Sequence, residues 1–229
     1  MQVYLAQARG PVRNGDLLRQ SVDRALSIRA ANEGRLGEFM IDDALIETLG
    51  EVASALEELG IPYAVTGSVA SSVHGESSST QDADLIVLAP IDRAAALSVR
   101  LSPRFYAPDD MLIDAARRSS FVNVVDNRTS LKVDLSFVGD DPFLLEVLRR
   151  RGRARIGGHP REFWFVTPED IILMKLLWRK DTQSSKQWDN ALNVARMKGV
   201  HMDWKYLFEQ ARALKLEADL IRLRNEAGI

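Results

Sequence analysis

Asp82 and Asp84 stand one residue apart in the run Thr80-Gln81-Asp82-Ala83-Asp84-Leu85-Ile86-Val87. Leu85 to Val87 read as strand, and strand side chains alternate faces with period two, so both carboxylates point the same way. Two like charges held side by side repel and destabilise the fold unless a positive group sits between them. A divalent cation with oxygen ligands is the usual answer. Shortly upstream lies Gly67-Ser68, a turn that leads into a short helical stretch. Backbone N–H groups at such a turn attract anions. A cation site beside an anion-binding turn is equipment for handling a nucleoside triphosphate.

An Asp-x-Asp pair is common as a surface pair or helix cap, and a Gly-Ser turn is commoner still. The third acid makes the pattern more specific. Asp134 lies inside the apolar run Leu131 to Phe137, where Asp is disfavoured by strand propensity. With the two strands adjacent, Asp82, Asp84 and Asp134 converge as the ligand set for two magnesium ions in an in-line phosphoryl displacement.

The elements that must position these groups are readable along the chain. Leu45, Ile46, Leu49, Val52, Leu56 and Leu59 recur at helical spacing from Asp42, and Gly60 with Pro62 ends that helix. Tyr63 to Val65 is a short strand, followed by a short helix from Gly67 to near Gly75. Asp82 to Leu88 is the next strand and Asp92 to Leu101 a helix. Asp109 to Arg118 is a further helix, with Asp109 and Asp110 as its cap. Phe121–Val125 and Leu131–Phe137 form a hairpin across Asp126-Asn127-Arg128-Thr129-Ser130. Phe143 to Arg150 is helical and Phe163 to Val166 a strand. Thr167-Pro168-Glu169-Asp170 is a strong helix start. Helices then follow at Ile171–Arg179, Lys186–Met197, Trp204–Leu214 and Ala218–Glu226. Three regions result: an extension over residues 1–40 with room for one helix or for partial disorder, a mixed α/β domain over 41–166, and a helical domain over 167–229.

Composition narrows the function classes. The chain has 229 residues, 46% apolar and 27% charged, the profile of an ordinary globular protein. It has no cysteine, which removes disulfides, cysteine zinc sites and a cysteine nucleophile together. No apolar run is long enough for a bilayer. Arg9, Arg13 and Asp16 interrupt any secretory signal, so the expectation is a cytoplasmic protein without membrane contact. The net charge of −2 gives no overall nucleic-acid footprint. Arg149, Arg150, Arg151, Arg153 and Arg155 crowd together, with Arg161 close by. A solvated helix end is the favoured reading over an RNA surface.

The chain resembles the nucleotidyltransferase superfamily with the DNA polymerase β-like fold. Within it, the chain looks most like the AbiEii-type bacterial group, which includes toxins of toxin–antitoxin and abortive-infection systems. The segments GSVASSVHG, STQDADLIV, SSFVNVVD, LKVDLSF, TPEDIILMKLLW and SSKQWDNAL carry the likeness from about Ile41 onward. It implies an α+β fold: a mixed sheet with flanking helices, then a C-terminal helical domain. It also implies transfer of a nucleoside monophosphate from an NTP to an acceptor hydroxyl, with two Mg2+ ions or Mn2+. By this resemblance Gly67, Ser68 and Thr80 hold the nucleotide with Lys175. Asp82, Asp84 and Asp134 bind the metals and carry catalysis. The acceptor is a tRNA end, a protein or a small molecule, and a cognate antitoxin is the implied partner.

Two positions depart from the pattern. Close relatives carry Arg where this chain has Ser78, and commonly Asp where it has Asn190. These departures set up an alternative, a nucleotide-binding module of the same fold with weak turnover that acts through a partner. Other residues have bland readings beside sharp ones. Lys175 also fits a lysine snorkelling from an amphipathic helix. His74 is open to a general-base role, with a capping or structural role favoured. Trp178 and Trp188 fit base stacking less well than packing between helices.

Overall fold

The computed structural model describes residues 41–74, 80–182 and 184–229. The expected N-terminal extension, Ser78 and Gly75 lie outside those residues. Seven strands form one sheet: β1 Tyr63–Thr66, β2 Asp82–Val87, β3 Phe105–Tyr106, β4 Phe121–Asp126, β5 Lys132–Phe137, β6 Gly152–Arg155 and β7 Glu162–Phe165. Their order across the sheet is β3-β4-β5-β2-β1-β7-β6. The sheet is mixed, because β2 runs parallel to β5 and β1 parallel to β7, while the other neighbours are antiparallel.

Among the described residues there are nine α-helices: α1 Asp43–Glu58, α2 Gly67–Val73, α3 Ile91–Leu101, α4 Asp109–Arg118, α5 Pro142–Arg150, α6 Pro168–Thr182, α7 Ser185–Lys198, α8 Trp204–Ala213 and α9 Glu217–Ala227. None is long and apolar enough to cross a membrane. The α1 register predicted from apolar spacing is the observed one. Leu45, Leu49, Val52 and Leu56 are buried, and the Asp42 carboxylate accepts the Ala44 N–H at 2.9 Å. Helix α1 packs on β2 and β5. Leu85, Val133 and Leu135 of those strands are all fully buried. The opposite sheet face carries Asp84 and Asp134, both half-buried. That is the alternation of a sheet with one face in the core.

The C-terminal helices are keyed to the rest by polar contacts inside the core. The Thr167 hydroxyl accepts the Asp170 N–H at 3.3 Å and donates to the Asp170 carboxylate at 2.7 Å, starting α6. Asp170 is fully buried. It also accepts from the Tyr206 hydroxyl of α8 at 2.6 Å and from Arg150 Nε of α5 at 3.4 Å. The Arg150 guanidinium lies 3.5 Å from the centroid of the Tyr206 ring.

Two expectations are corrected, and two strands are added to those expected from the sequence. The arginine-rich stretch is not one solvated helix end. Helix α5 ends at Arg150, which is buried, and Arg153 and Arg155 lie on the edge strand β6. Strands β6 and β3 carry no apolar alternation strong enough to announce them; only Ala154 of β6 and Phe105 of β3 are buried. Finally, Asp109 and Asp110 do not cap α4. Pro108 precedes the helix, and each carboxylate accepts only the N–H of the following residue, at 2.9 Å.

Candidate active site

Four neighbouring strands place one residue each in a single row. Thr66 of β1 stands opposite Asp84 of β2, Asp84 beside Asp134 of β5, and Asp134 opposite Asn123 of β4. Residues paired across strands share a face, so all four side chains project from the same side of the sheet. Asp82 joins them, two residues before Asp84 and in register with Lys132. The expected convergence of Asp82, Asp84 and Asp134 is therefore a matter of strand order, which puts β5 directly beside β2.

Each carboxylate has a hydrogen-bond tether. The Thr80 hydroxyl lies 2.7 Å from Asp82 Oδ1 and 3.0 Å from the Asp82 carbonyl oxygen. The Ser68 backbone N–H donates to Asp84. The Asn123 side-chain amide donates to Asp134 Oδ1. Gly67 makes the second tether feasible. Its φ is +61°, and a Cβ there would fall 1.9 Å from Asp84 Oδ2. Only glycine allows the turn and the carboxylate to meet so closely.

The electrostatics follow from this crowding. Burial pushes the Asp84 carboxyl up, and the neighbouring charges of Asp82 and Asp134 push it further, to about 6. The Lys175 ammonium and the Ser68 N–H oppose the rise. Lys175 itself is buried in α6, next to Met174, whose sulfur accepts from the Thr66 hydroxyl at 3.6 Å. The helical region thus delivers its lysine to the carboxylates.

Among the described residues, no three His, Cys, Asp or Glu side chains are closed up as a metal cluster. The donor set nevertheless fits a hard divalent cation. It offers carboxylate oxygens on one face; burial raises Asp84 first and the repulsion of Asp82 and Asp134 adds to it, a charge imbalance that a cation would relieve. Asp82 is exposed, so the group is open to solvent from that side.

Other expected site residues fall elsewhere. His74 is 1% exposed, its Nε2 lies 3.0 Å from the Val166 carbonyl oxygen, and burial lowers its pKa to about 4. It is a neutral ring that pins the end of α2 to the start of α6, which fits the structural role and not the general base. Trp188 is buried, the guanidiniums of Arg179 and Arg222 lie over its ring at 4.9 and 4.5 Å from the centroid, and its Nε1–H donates to Glu226 at 3.0 Å. Arg149 is paired with Glu146, while Arg151 and Arg153 lie over Trp164. Asn190 is buried and Asp189 exposed, both on α7. Asn123 was not singled out by its spacing. A signal did exist: the hairpin folded about Asp126–Ser130 aligns it with Asp134.

Solved structures share this arrangement of elements. An antigenic nucleotidyltransferase-like protein from Paracoccidioides brasiliensis superposes with a TM-score of 0.52 at 20% identity, over 82% of this chain and 92% of its own. The antibiotic-resistance factor ANT(2'')-Ia superposes with a TM-score of 0.51 at 14% identity, over 80% of this chain and 98% of its own. The chain has the nucleotidyltransferase fold. No family model and no curated protein sequence matches it. Within the nucleotidyltransferase fold, the row from Thr66 to Asn123 occupies the middle of the sheet, and the Gly67–Ser68 turn lies at one side of that row.

Proposed function

We propose that the chain is a magnesium-dependent nucleotidyltransferase. The observation that carries this reading is the placement of Asp82, Asp84 and Asp134 on one sheet face against the Gly67–Ser68 turn. The acceptor hydroxyl gives up its proton to Asp134 or to solvent, its oxygen bonds to the α-phosphorus of an NTP, the bond to the bridging oxygen breaks, and pyrophosphate leaves. Asp82 and Asp84 would hold a divalent cation on the triphosphate, and Asp134 would hold a second on the acceptor side. Held by these residues, such ions would supply neutralisation of phosphate charge for an in-line displacement. The chain's own groups do the rest. The turn N–H groups and Lys175 bind phosphate oxygens, Thr80 orients Asp82, and Asn123 orients Asp134.

The AbiEii-like motifs extend the proposal to a cytoplasmic toxin restrained by a cognate antitoxin. Its acceptor would be a tRNA end, a protein hydroxyl or a small molecule. A second reading, a nucleotide-binding module with weak turnover, has its own support. The Ser68 N–H that would meet a phosphate is already engaged by Asp84.

One experiment separates them. Wild type and Asp82→Ala are incubated with each labelled NTP, Mg2+ and cell extract, and labelled RNA, protein and metabolites are separated. Transfer by wild type that is lost in a folded Asp82→Ala protein is the expected result. Equal labelling by both refutes the assignment. Calorimetric NTP binding without labelling by wild type selects the second reading.

A further inference from the structure

Asn123 is a polar residue in the interior of a strand whose other members are Phe121, Val122, Val124, Val125 and, at its end, Asp126, which is itself tied to Arg104 and Thr48. Asparagine is depleted at such positions, so its presence asks for a reason. Val122 and Val124 point into the core, and Asn123 projects from the other face, directly opposite Asp134. A carboxylate only accepts hydrogen bonds, so the amide nitrogen must face Asp134 Oδ1 and the carbonyl oxygen must face away.

We propose that Asn123 is the positioning residue of the third acid: its amide holds one oxygen of Asp134 so that the other is aimed toward Asp84 and a shared cation. This inference rests on the nucleotidyltransferase reading and deepens it. The choice of a neutral donor follows from the local charge. Lysine or arginine here would compete with the cation for Asp134. Aspartate would add a fourth negative charge to three that already repel. Leucine would leave the Asp134 carboxylate free to rotate. The other two acids are held in the same manner, by Thr80 and by the Ser68 N–H. Asn123 supplies the third tether from the side of the row away from the Gly67–Ser68 turn. It therefore acts on the acceptor half of the site and leaves nucleotide binding alone.

The test compares wild type with Asn123→Leu, similar in shape without a donor, and Asn123→Gln, which keeps the amide. Partners of ligating carboxylates typically contribute about 10- to 100-fold to metal affinity or activity. In calorimetry with Mn2+ alone, Asn123→Leu is expected to bind within that range more weakly, with a cooperative unfolding transition and a wild-type far-UV CD spectrum showing that the fold is kept. The turnover number for NMP transfer is expected to fall by a similar factor at unchanged KM for NTP, and Asn123→Gln to recover most of both. The Asn123 side-chain 15N–1H resonances are expected to shift in Asp134→Ala. Wild-type Mn2+ affinity in Asn123→Leu, or a loss that appears in the KM for NTP, overturns the proposal. If wild type binds Mn2+ but transfers no nucleotide, the enzymatic reading fails while the Mn2+ and resonance measurements still decide the role of Asn123. If wild type binds no Mn2+, both fail.

Discussion

Gly67→Ala probes the closest contact in the site. The residue has φ +61°, and its added Cβ would lie 1.9 Å from Asp84 Oδ2 and 2.6 Å from Asp84 Cγ. Ordinary contact is about 3.5 Å, so the carboxylate must retreat by roughly 1.5 Å. The left-handed backbone costs an L-residue about 1–2 kcal/mol. Losing the charge-assisted bond from Ser68 N–H costs about 1.5–3 kcal/mol more. Together these predict a loss of about 2.5–5 kcal/mol, a fall in Tm of roughly 10 °C for a domain of this size. Urea denaturation of a double-mutant cycle with Asp84→Ala separates the two parts. With the carboxylate gone, the remaining approach is to Asp84 Cβ at 3.0 Å, which a small shift relieves. The Gly67→Ala cost should then shrink to the backbone part alone. An equal cost in both backgrounds would refute the claim that Asp84 and the turn are in contact.

Three further predictions follow from the same geometry. The Asp84 carboxyl titrates near 6 in the folded protein against 3.8 ordinarily, so between those values the native state binds a proton that the unfolded state lacks. In metal-free buffer, stability should therefore fall as pH rises through about 4 to 6, by about 3 kcal/mol at most. Asp84→Asn should flatten that slope in urea titrations, and an unchanged slope would assign the effect to another group. Lys175→Met removes the charge that lowers Asp84 and should move its carboxyl resonance midpoint above 6 in an NMR titration; an unmoved midpoint would separate the two residues. Tyr206→Phe keeps the ring beneath Arg150 but removes a 2.6 Å bond to the buried Asp170 carboxylate. Stability should drop by about 1.5–3 kcal/mol in urea, and an unchanged midpoint would mean that this bond contributes nothing.

Local pattern made much of the fold legible. The apolar period of α1, the Pro168 start of α6 and the turn residues between β4 and β5 each act within a few neighbours, and each element lies where that pattern predicts. The strands β3 and β6 escaped because their backbone pairing comes from β4 and β7, and their side chains are largely solvent-facing. The arginines from Arg149 to Arg155 looked like one basic patch because adjacency in sequence says nothing of direction. Alternation along β6 and the end of α5 send them to Glu146, Asp170, Trp164 and Glu162.

Period-two alternation alone determines that Asp82 and Asp84 share a face, and strand propensity alone marks Asp134 as a residue with a purpose. Which strand lies beside which is decided by packing over the whole sheet. That packing put β5 next to β2 in parallel register, brought β4 alongside with Asn123, and carried Lys175 in on α6. A carboxylate's neighbours in space are set by long-range burial of the opposite face, in which α1 covers Leu85, Val133 and Leu135. The acids were therefore visible in the chain, while their tethers, their mutual repulsion and the rise of Asp84 came only with the tertiary fold.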